Sequence, residues 1–134
     1  MTEVKTLTKI ALLAYGIACL LFGFMLIIMT ATFLDPLVPG WEVNVFHPRV
    51  LGGFLVVIGF FDFLMILNKK WEWDHIKVAY MALFAFIVPM ITGQILYLVL
   101  LSPTAAFVGE MMLEIPLEAV LLILGIIGYL KQSG

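Results

Sequence analysis

The side chains of this chain that are best suited to chemistry are carboxyl groups placed inside apolar segments. Glu110, Glu114 and Glu118 are spaced by four residues. On a helix such side chains drift by only about 40° from one to the next, so they share one face. Arg49 is the only arginine, and it precedes another apolar run. Because a guanidinium fork suits a carboxylate, the pattern predicts an ion pair of Arg49 with Glu114 or Glu118.

This pair belongs to a wider polar group that is predicted near one face of a membrane. Gln94 lies seven residues before the predicted end of its helix, which is roughly 10 Å at 1.5 Å per residue. Two interpretations stay open: a pocket roofed by the segment 35–48, or an ion pair that only fixes helix register. For the pocket, the candidate ligand-binding residues are Arg49, Gln94, Glu114, Glu118, His47 and Tyr97.

Asp62 is a further charged residue in an apolar run, close to the opposite end of its predicted helix. A charge near the bilayer centre costs about 2.5–3.5 kcal/mol on insertion scales, so it calls for an explanation. Tyr15 and Tyr80 are predicted at a similar depth, within hydrogen-bonding reach. A structural hydrogen bond to tyrosine or to a snorkelling lysine is one explanation. The other is a proton or ion path, with Asp62, Tyr15 and Tyr80 as its candidate residues.

Several metal and redox chemistries do not fit the spacing. His47 and His75 are predicted at opposite membrane faces, which excludes a haem held by both. Di-iron carboxylate bundles use Glu-x-x-His pairs, which this chain lacks. Cys19 is the only cysteine, so neither an internal disulfide nor a Cys-x-x-Cys pair can form. A hard metal held by Glu110, Glu114 and His47 is a minor alternative; we expect no metal and no cofactor, and we assign no catalytic residue.

The amino-acid composition indicates whether the chain folds in water or in a membrane. The chain has 134 residues, of which 64% are hydrophobic and 12% charged, with a mean hydropathy of +1.19. Soluble domains are roughly 45–50% apolar and about 25% charged, so this chain cannot cover a water-soluble globule with polar surface. Seven Lys and Arg residues and a net charge of −2 leave no basic surface for nucleic acid. The sequence predicts an integral membrane protein.

Four apolar segments are long enough to span a bilayer, which takes about 20 residues. We predict an all-α polytopic membrane protein, a single transmembrane domain over 1–134, with short connections that favour an antiparallel four-helix bundle. Ser102 and Pro103 are typical of an N-cap followed by proline at the first helical position. The predicted helices cover about 8–34, 49–68, 76–101 and 104–131.

The basic residues predict the orientation. Arg49 is predicted on one side of the membrane, and the other six on the opposite side. Because basic residues favour the cytoplasmic side, both termini are predicted to be cytoplasmic. Trp71 and Trp73, beside these lysines, are expected at the membrane interface, and so is Trp41 in the opposite loop. The six residues of the basic side are Lys5, Lys9, Lys69, Lys70, Lys77 and Lys131.

A short pattern in these helices resembles a known family. It consists of the segment 46–53, Phe-His-Pro-Arg-Val-Leu-Gly-Gly, the Gly93-Gln94 pair and Glu118. This pattern is similar to the DoxX-like group of small four-helix bacterial and archaeal membrane proteins, in particular its branch of unknown function. That branch typically has arginine where this chain has Gln94. The resemblance implies a prokaryotic cytoplasmic membrane and a polar centre of Arg49, Gln94 and Glu118, and some members are associated with thiosulfate:quinone oxidoreductase complexes.

The first functional hypothesis is a non-enzymatic accessory or scaffold subunit of a larger membrane complex, because the chain is small and has no complete catalytic constellation. The alternative is a module that binds or transports an amphiphile, such as a lipid or a quinone, in the polar pocket around Arg49, Gln94, Glu114 and Glu118. An enzyme with Glu114 or Glu118 as general acid or base is a weaker third hypothesis. The expected partners are membrane lipids and either a larger complex or further copies of the chain, and no nucleic acid.

Overall fold

The computed structural model describes residues 3–29, 32 and 46–133, and all the regular structure in these ranges is α-helical. All four long helices have the length and apolar composition needed to cross a membrane. The protein is therefore a small integral membrane protein with a four-helix bundle, which confirms the predicted fold class at this level. The helices are α1 (Thr6–Ile28), α2 (Phe46–Leu67), α3 (Trp73–Leu100) and α4 (Ala105–Ser133).

The helix ends differ from the prediction by a few residues. α1 ends at Ile28 and is closed by Met29, whose amide donates to the Met25 carbonyl at 3.0 Å. α2 begins at Phe46 rather than at residue 49, because proline is tolerated in a first turn, where its missing N–H has no helical acceptor. The segment 33–45, which includes most of the predicted roof and Trp41, lies outside the described residues.

The start of α4 is a second correction. Thr104 rather than Ser102 caps this helix, because the Phe107 amide donates to the Thr104 Oγ1 at 3.1 Å. Pro116 lies inside α4, and the helix continues on both sides of it. α3 likewise continues through Pro89.

The order in which the helices pack differs from their order in the chain. α1 packs against α2 and α4, and α4 packs against α1 and α3. α2 and α3, although consecutive, do not pack along each other in the described part of the chain. The bundle therefore has the packing order α2, α1, α4, α3. We call the end formed by the starts of α1 and α3 and the ends of α2 and α4 the terminal face, and the opposite end the far face.

Glycines allow α1 and α2 to approach closely. A Cβ added to Gly23 would lie 2.8 Å from the Gly52 carbonyl oxygen, and one added to Gly59 would lie 2.9 Å from the Gly16 oxygen. In lipid, where apolar surfaces gain little by meeting, such close backbone approach holds helices together. Gly16 and Gly23 of α1 thus match Gly59 and Gly52 of α2, and both pairs share a seven-residue spacing.

Hydrogen bonds join α1 to α4 at the terminal face. The Lys5 amide donates to the Gln132 Oε1 at 2.6 Å, and the Gln132 Nε2 donates to the Glu3 carbonyl at 2.8 Å. Thr8, which is fully buried, donates its hydroxyl to the Gly128 carbonyl at 3.1 Å. The start of α1 is thus fixed to the end of α4 by a glutamine side chain.

An aromatic cluster fills the bundle above this face. Trp73 is only 6% exposed, and its ring centroid lies 5.4 Å from that of Tyr80 and 5.6 Å from that of Tyr129. The ring of Trp73 is therefore packed inside the bundle, because the first turn of α3 leans onto the end of α4. Trp71 is half-buried and lies beside Phe61, with ring centroids 6.2 Å apart.

Candidate functional site

The polar cluster between α3 and α4 is built around one amide. The Gln94 Nε2 donates to the Glu114 Oε2 and to the Glu118 Oε1, both at 3.1 Å. Glu114 and Glu118 are one helical turn apart and can therefore both face Gln94. The carboxyl group of Glu110 lies one helical turn further out, close to that of Glu114. The structure thus brings together three of the six predicted ligand-binding residues.

This cluster has more acceptors than donors. The Gln94 Oε1 and the Glu118 Oε2 are buried and have no hydrogen-bond partner among the described residues. Buried polar atoms without partners are costly, at about 1–3 kcal/mol each. Glu118 lies 13 residues beyond Ala105, close to the middle of α4 and roughly 20 Å along the helix. It is therefore deeper in the bundle than we expected from the sequence.

The predicted ion pair of Arg49 is not formed. Arg49 is exposed in the first turn of α2, and it makes no ion pair with any described residue. The physical reason is the packing order, since α1 separates α2 from α4. Matching depths along two helices does not make them neighbours. Gln94 takes the position next to the glutamates that we had assigned to the guanidinium.

Two further predicted residues, Tyr97 and His47, belong to helix ends at the far face. Tyr97 packs on Phe107 of α4, with ring centroids 4.6 Å apart. His47 is in the first turn of α2, and its side chain lies outside the part of the chain that the structure describes. Tyr97 therefore makes its contact with Phe107 and no described hydrogen bond to the Gln94 cluster.

A second polar position lies between α1 and α2. Asp62 is fully buried, and neither of its carboxyl oxygens has a hydrogen-bond partner among the described residues. The Tyr15 hydroxyl lies within electrostatic range of Asp62, Cys19 and Glu118. Lys9 forms its ion pair with Glu3 instead, at 3.7 Å, so it does not reach Asp62. Sequence reasoning missed Cys19 here, although its spacing of four from Tyr15 places both on one face of α1.

Tyr80, which we predicted beside Asp62, belongs to a different contact. Its hydroxyl donates to the Gly125 carbonyl of α4 at 2.8 Å, and it is fully buried. The glycines of α4 make room for the aromatic side chains of α3, because a Cβ at Gly125 would overlap Phe84. The Tyr80 hydroxyl is therefore bonded to α4, and no hydrogen bond joins Tyr15 to Asp62 among the described residues.

An apolar groove lies where α2 and α3 fail to pack. It has a volume of about 320 Å³. Leu83, in its wall, precedes Gln94 by 11 residues, or three turns, so both lie on one face of α3. The groove is lined by Tyr15, Ile58, Phe61, Ala79, Ala82, Leu83 and Phe86.

The described residues form no group of three His, Cys, Asp or Glu side chains that could hold a metal ion. The metal alternative with His47 includes a side chain outside the described residues. Comparison with known protein families, curated proteins and solved structures gives no match to this chain. The site is therefore interpreted from its own geometry.

Proposed function

We propose that this membrane protein binds an amphiphile whose head group donates hydrogen bonds or carries a positive charge. The observation that carries the proposal is the pair of buried acceptors without donors, the Gln94 Oε1 and the Glu118 Oε2. A ligand with an amine or hydroxyl group would supply the missing donors. Two carboxyl groups without a described basic partner also make the site complementary to a cation.

The hydrogen-bond donors at this site indicate which head groups can bind there. The Gln94 Nε2 is the donor at this site in the described structure, and both of its contacts are to glutamate. A head group that only accepts hydrogen bonds, such as an oxidised quinone, finds no free donor in the Gln94 cluster among the described residues. An amine-bearing lipid or a quinol, which can donate, fits better.

The groove between α2 and α3 gives the ligand a place for its tail. It opens beside the bilayer because the two helices do not pack along each other. From the level of Leu83 to that of Gln94 the distance along α3 is roughly 16 Å, which a lipid chain can bridge. The proposed ligand therefore enters from the membrane, with its head at Gln94 and its tail against α2.

The test is binding of three probes of equal chain length, dodecylamine, dodecanol and dodecanoate, to the purified protein in detergent micelles. We expect saturable binding of the amine, weaker binding of the alcohol and none of the carboxylate. Since a hydrogen bond to a charged group contributes about 1.5–3 kcal/mol, Glu118→Gln should weaken amine binding about 10- to 100-fold.

Asp74→Asn is the matched control, because it removes a surface carboxylate paired with Lys77 at the terminal face. It should leave binding of the amine unchanged. Equal binding of the amine and the carboxylate, or an unchanged affinity in Glu118→Gln, would contradict the proposal.

A second candidate is the accessory subunit, and the exposure of α3 favours it. Only 11% of the α3 span is buried inside the molecule, against 39% of the α1 span. The exposed face of α3 carries Ala82, Ala85, Pro89 and Gly93, and a Cβ added to Gly93 would meet nothing within 4 Å. Small residues of this kind let another helix approach closely. Native mass spectrometry of the gently extracted protein would show larger subunits at fixed stoichiometry, whereas a lone chain with a bound small molecule favours the first proposal.

The family relationship and the orientation are part of the same proposal. The hydrogen bond between Gln94 and Glu118 supports a polar centre like that of the DoxX-like group, whereas the exposed Arg49 does not take part in it. A position in a prokaryotic cytoplasmic membrane, with both termini cytoplasmic, is supported by the lysines that gather at the terminal face.

A further inference from the structure

A polar cavity opens at the terminal face, where the start of α1 meets the end of α2. Its volume is about 380 Å³, many times the roughly 30 Å³ that a water molecule occupies in the liquid. Val4 and Met65, both buried, form part of its wall. The cavity shares no residue with the Gln94 cluster. Its polar lining consists of Glu3, Lys9, Asn68, Lys69 and Trp71.

Most polar groups in this lining are hydrogen-bond donors. The Lys70 amide donates to the Asn68 Oδ1 at 3.1 Å, so the Asn68 Nδ2 is the end of that amide left for a ligand. The Trp71 amide donates to the Asn68 carbonyl at 3.0 Å, and this turn brings the Trp71 indole and Lys69 to the same cavity. Lys69 makes no ion pair with any described residue. An anion would supply acceptors for these donors.

Glu3 is the acidic member of the lining, and it is held loosely. Its Oε1 lies 3.7 Å from the Lys9 Nζ, and its side chain is 92% exposed. Exposed ion pairs of this kind contribute little to stability. Lys9 can therefore exchange Glu3 for another anion without leaving a buried charge unpaired. With two lysines and one glutamate, the lining is net positive.

The cavity lies at the boundary between the polar and the apolar surface of the bundle. Leu67, just before Asn68, is 72% exposed, and Ile10, just after Lys9, is 47% exposed. On helices that span a membrane, exposed apolar side chains face the lipid chains. Lysine and tryptophan, in contrast, are typical of the membrane interface. The position of the cavity therefore matches the level of the lipid phosphates.

We propose that this cavity binds the phosphodiester of an anionic phospholipid from the leaflet at the terminal face. Lys9 of α1 and Lys69 of the turn after α2 contact the phosphate oxygens, and Asn68 and Trp71 donate further hydrogen bonds. The lipid chains continue into the bilayer beside the exposed apolar residues of α1 and α2. A zwitterionic lipid fits less well, because its cationic group meets a net positive lining. Basic pockets at the ends of transmembrane helices are suited to anionic head groups. This inference does not depend on ligand binding at Gln94.

Native mass spectrometry of the delipidated protein in detergent tests the proposal. The probes are dioleoyl phosphatidylglycerol and dioleoyl phosphatidylcholine, which have the same chains and the same phosphodiester but differ in net charge. We expect wild type to retain one phosphatidylglycerol per chain in preference to phosphatidylcholine. Lys9→Gln and Lys69→Gln should each weaken this binding about fivefold, the contribution expected of one lysine near a lipid surface. Inorganic phosphate in excess should not displace the lipid, because it lacks the chains.

Lys70→Gln is the matched control for Lys69→Gln. Both lysines are exposed in the same turn, but Lys70 does not line the cavity. Lys70→Gln should therefore bind phosphatidylglycerol like wild type, and so should Glu118→Gln, which alters only the Gln94 cluster. Equal retention of the two lipids by wild type, or equal losses in Lys69→Gln and Lys70→Gln, overturns the proposal. Displacement of the lipid by inorganic phosphate overturns its assignment to a lipid head group.

Discussion

At the scale of single residues, Gln94 occupies the most demanding position in the cluster. Its amide nitrogen donates hydrogen bonds to two carboxyl oxygens on the neighbouring helix, and its amide oxygen has no described partner. A glutamine fits this position because it both donates and accepts, and it carries no charge that would have to be neutralised in lipid. The side chain therefore links α3 to α4 and keeps one acceptor without a described partner.

Replacing Gln94 by leucine should destabilise the bundle. Both glutamates would lose their donor, and interhelical hydrogen bonds in membranes contribute up to about 1–2 kcal/mol. We expect the free energy of unfolding, measured by titration of the micellar protein with sodium dodecyl sulfate, to fall by about that amount. Thr92→Val, two residues earlier, is the control. The Thr92 hydroxyl donates to the Val88 carbonyl of its own helix at 2.8 Å, so its loss should leave α3 attached to α4.

The sequence was enough to predict the positions of some residues in the cluster but not of others. The spacing of Glu114 and Glu118 was enough to place them on one face, and counting from the helix end brought Gln94 near them. Arg49, the partner predicted for Glu118, was wrong, because an equal depth in the membrane does not determine which helices are neighbours. Whether Arg49 faces the glutamates depends on which helices are neighbours, and that is decided by packing across the whole bundle.

At the scale of helices, the pairing of α1 with α2 depends on which of two consecutive glycines faces α1. Gly52 faces α1, where an added Cβ would lie 2.7 Å from the Gly23 carbonyl oxygen. Gly53 faces open space, with nothing within 4 Å of an added Cβ. The two residues occupy the same turn of the same helix. Substituting each of them by alanine therefore distinguishes the effect of close packing from that of helix propensity.

Gly52→Ala should therefore force α1 and α2 apart, whereas Gly53→Ala should not. Overpacking of a closely fitted interface costs about 1–3 kcal/mol, and that is the loss of unfolding free energy that we expect for Gly52→Ala. For Gly53→Ala we expect no loss, or a small gain from the better helix propensity of alanine. Thermal unfolding of the two variants, followed side by side by circular dichroism, is the measurement. Equal melting temperatures would show that the close approach at Gly52 contributes nothing.

Helix existence was predictable from the sequence, but helix contacts were not. Long apolar runs of about 20 residues have few structural alternatives in a membrane, so the four helices follow from composition and length. Which faces meet is decided by local shape, such as the matched seven-residue spacing of Gly16 and Gly23 with Gly52 and Gly59. Trp73 illustrates the same limit, because its position beside lysines does not reveal that its ring packs on Tyr80 and Tyr129.

At the scale of the whole molecule, charge is distributed unevenly between the two faces. Lysines gather at the terminal face, together with the polar cavity, while the far face presents Glu110 beyond the Gln94 cluster. For a cytoplasmic membrane, the positive-inside bias predicts that the terminal face lies inside.

Labelling of single cysteines tests this orientation. In a Cys19→Ala background, Lys70→Cys marks the connection between α2 and α3, and Ser102→Cys marks that between α3 and α4. Both positions are exposed. A membrane-impermeant maleimide should label Ser102→Cys in intact spheroplasts and Lys70→Cys only after lysis. Labelling of Lys70→Cys in intact cells, with Ser102→Cys protected, would reverse the orientation.

The packing order has a consequence for how the protein is assembled. α4 lies between α1 and α3, yet it is synthesised after both. α1 and α2 can pack as a hairpin as soon as both are in the membrane, because their glycines already match. α3 then waits in the bilayer with its Gln94 amide exposed to lipid, until α4 arrives with two acidic side chains that are themselves costly in lipid. The hydrogen bonds from Gln94 to the two glutamates reduce this cost for both helices. They therefore favour the pairing of α4 with α3 when α4 enters the membrane.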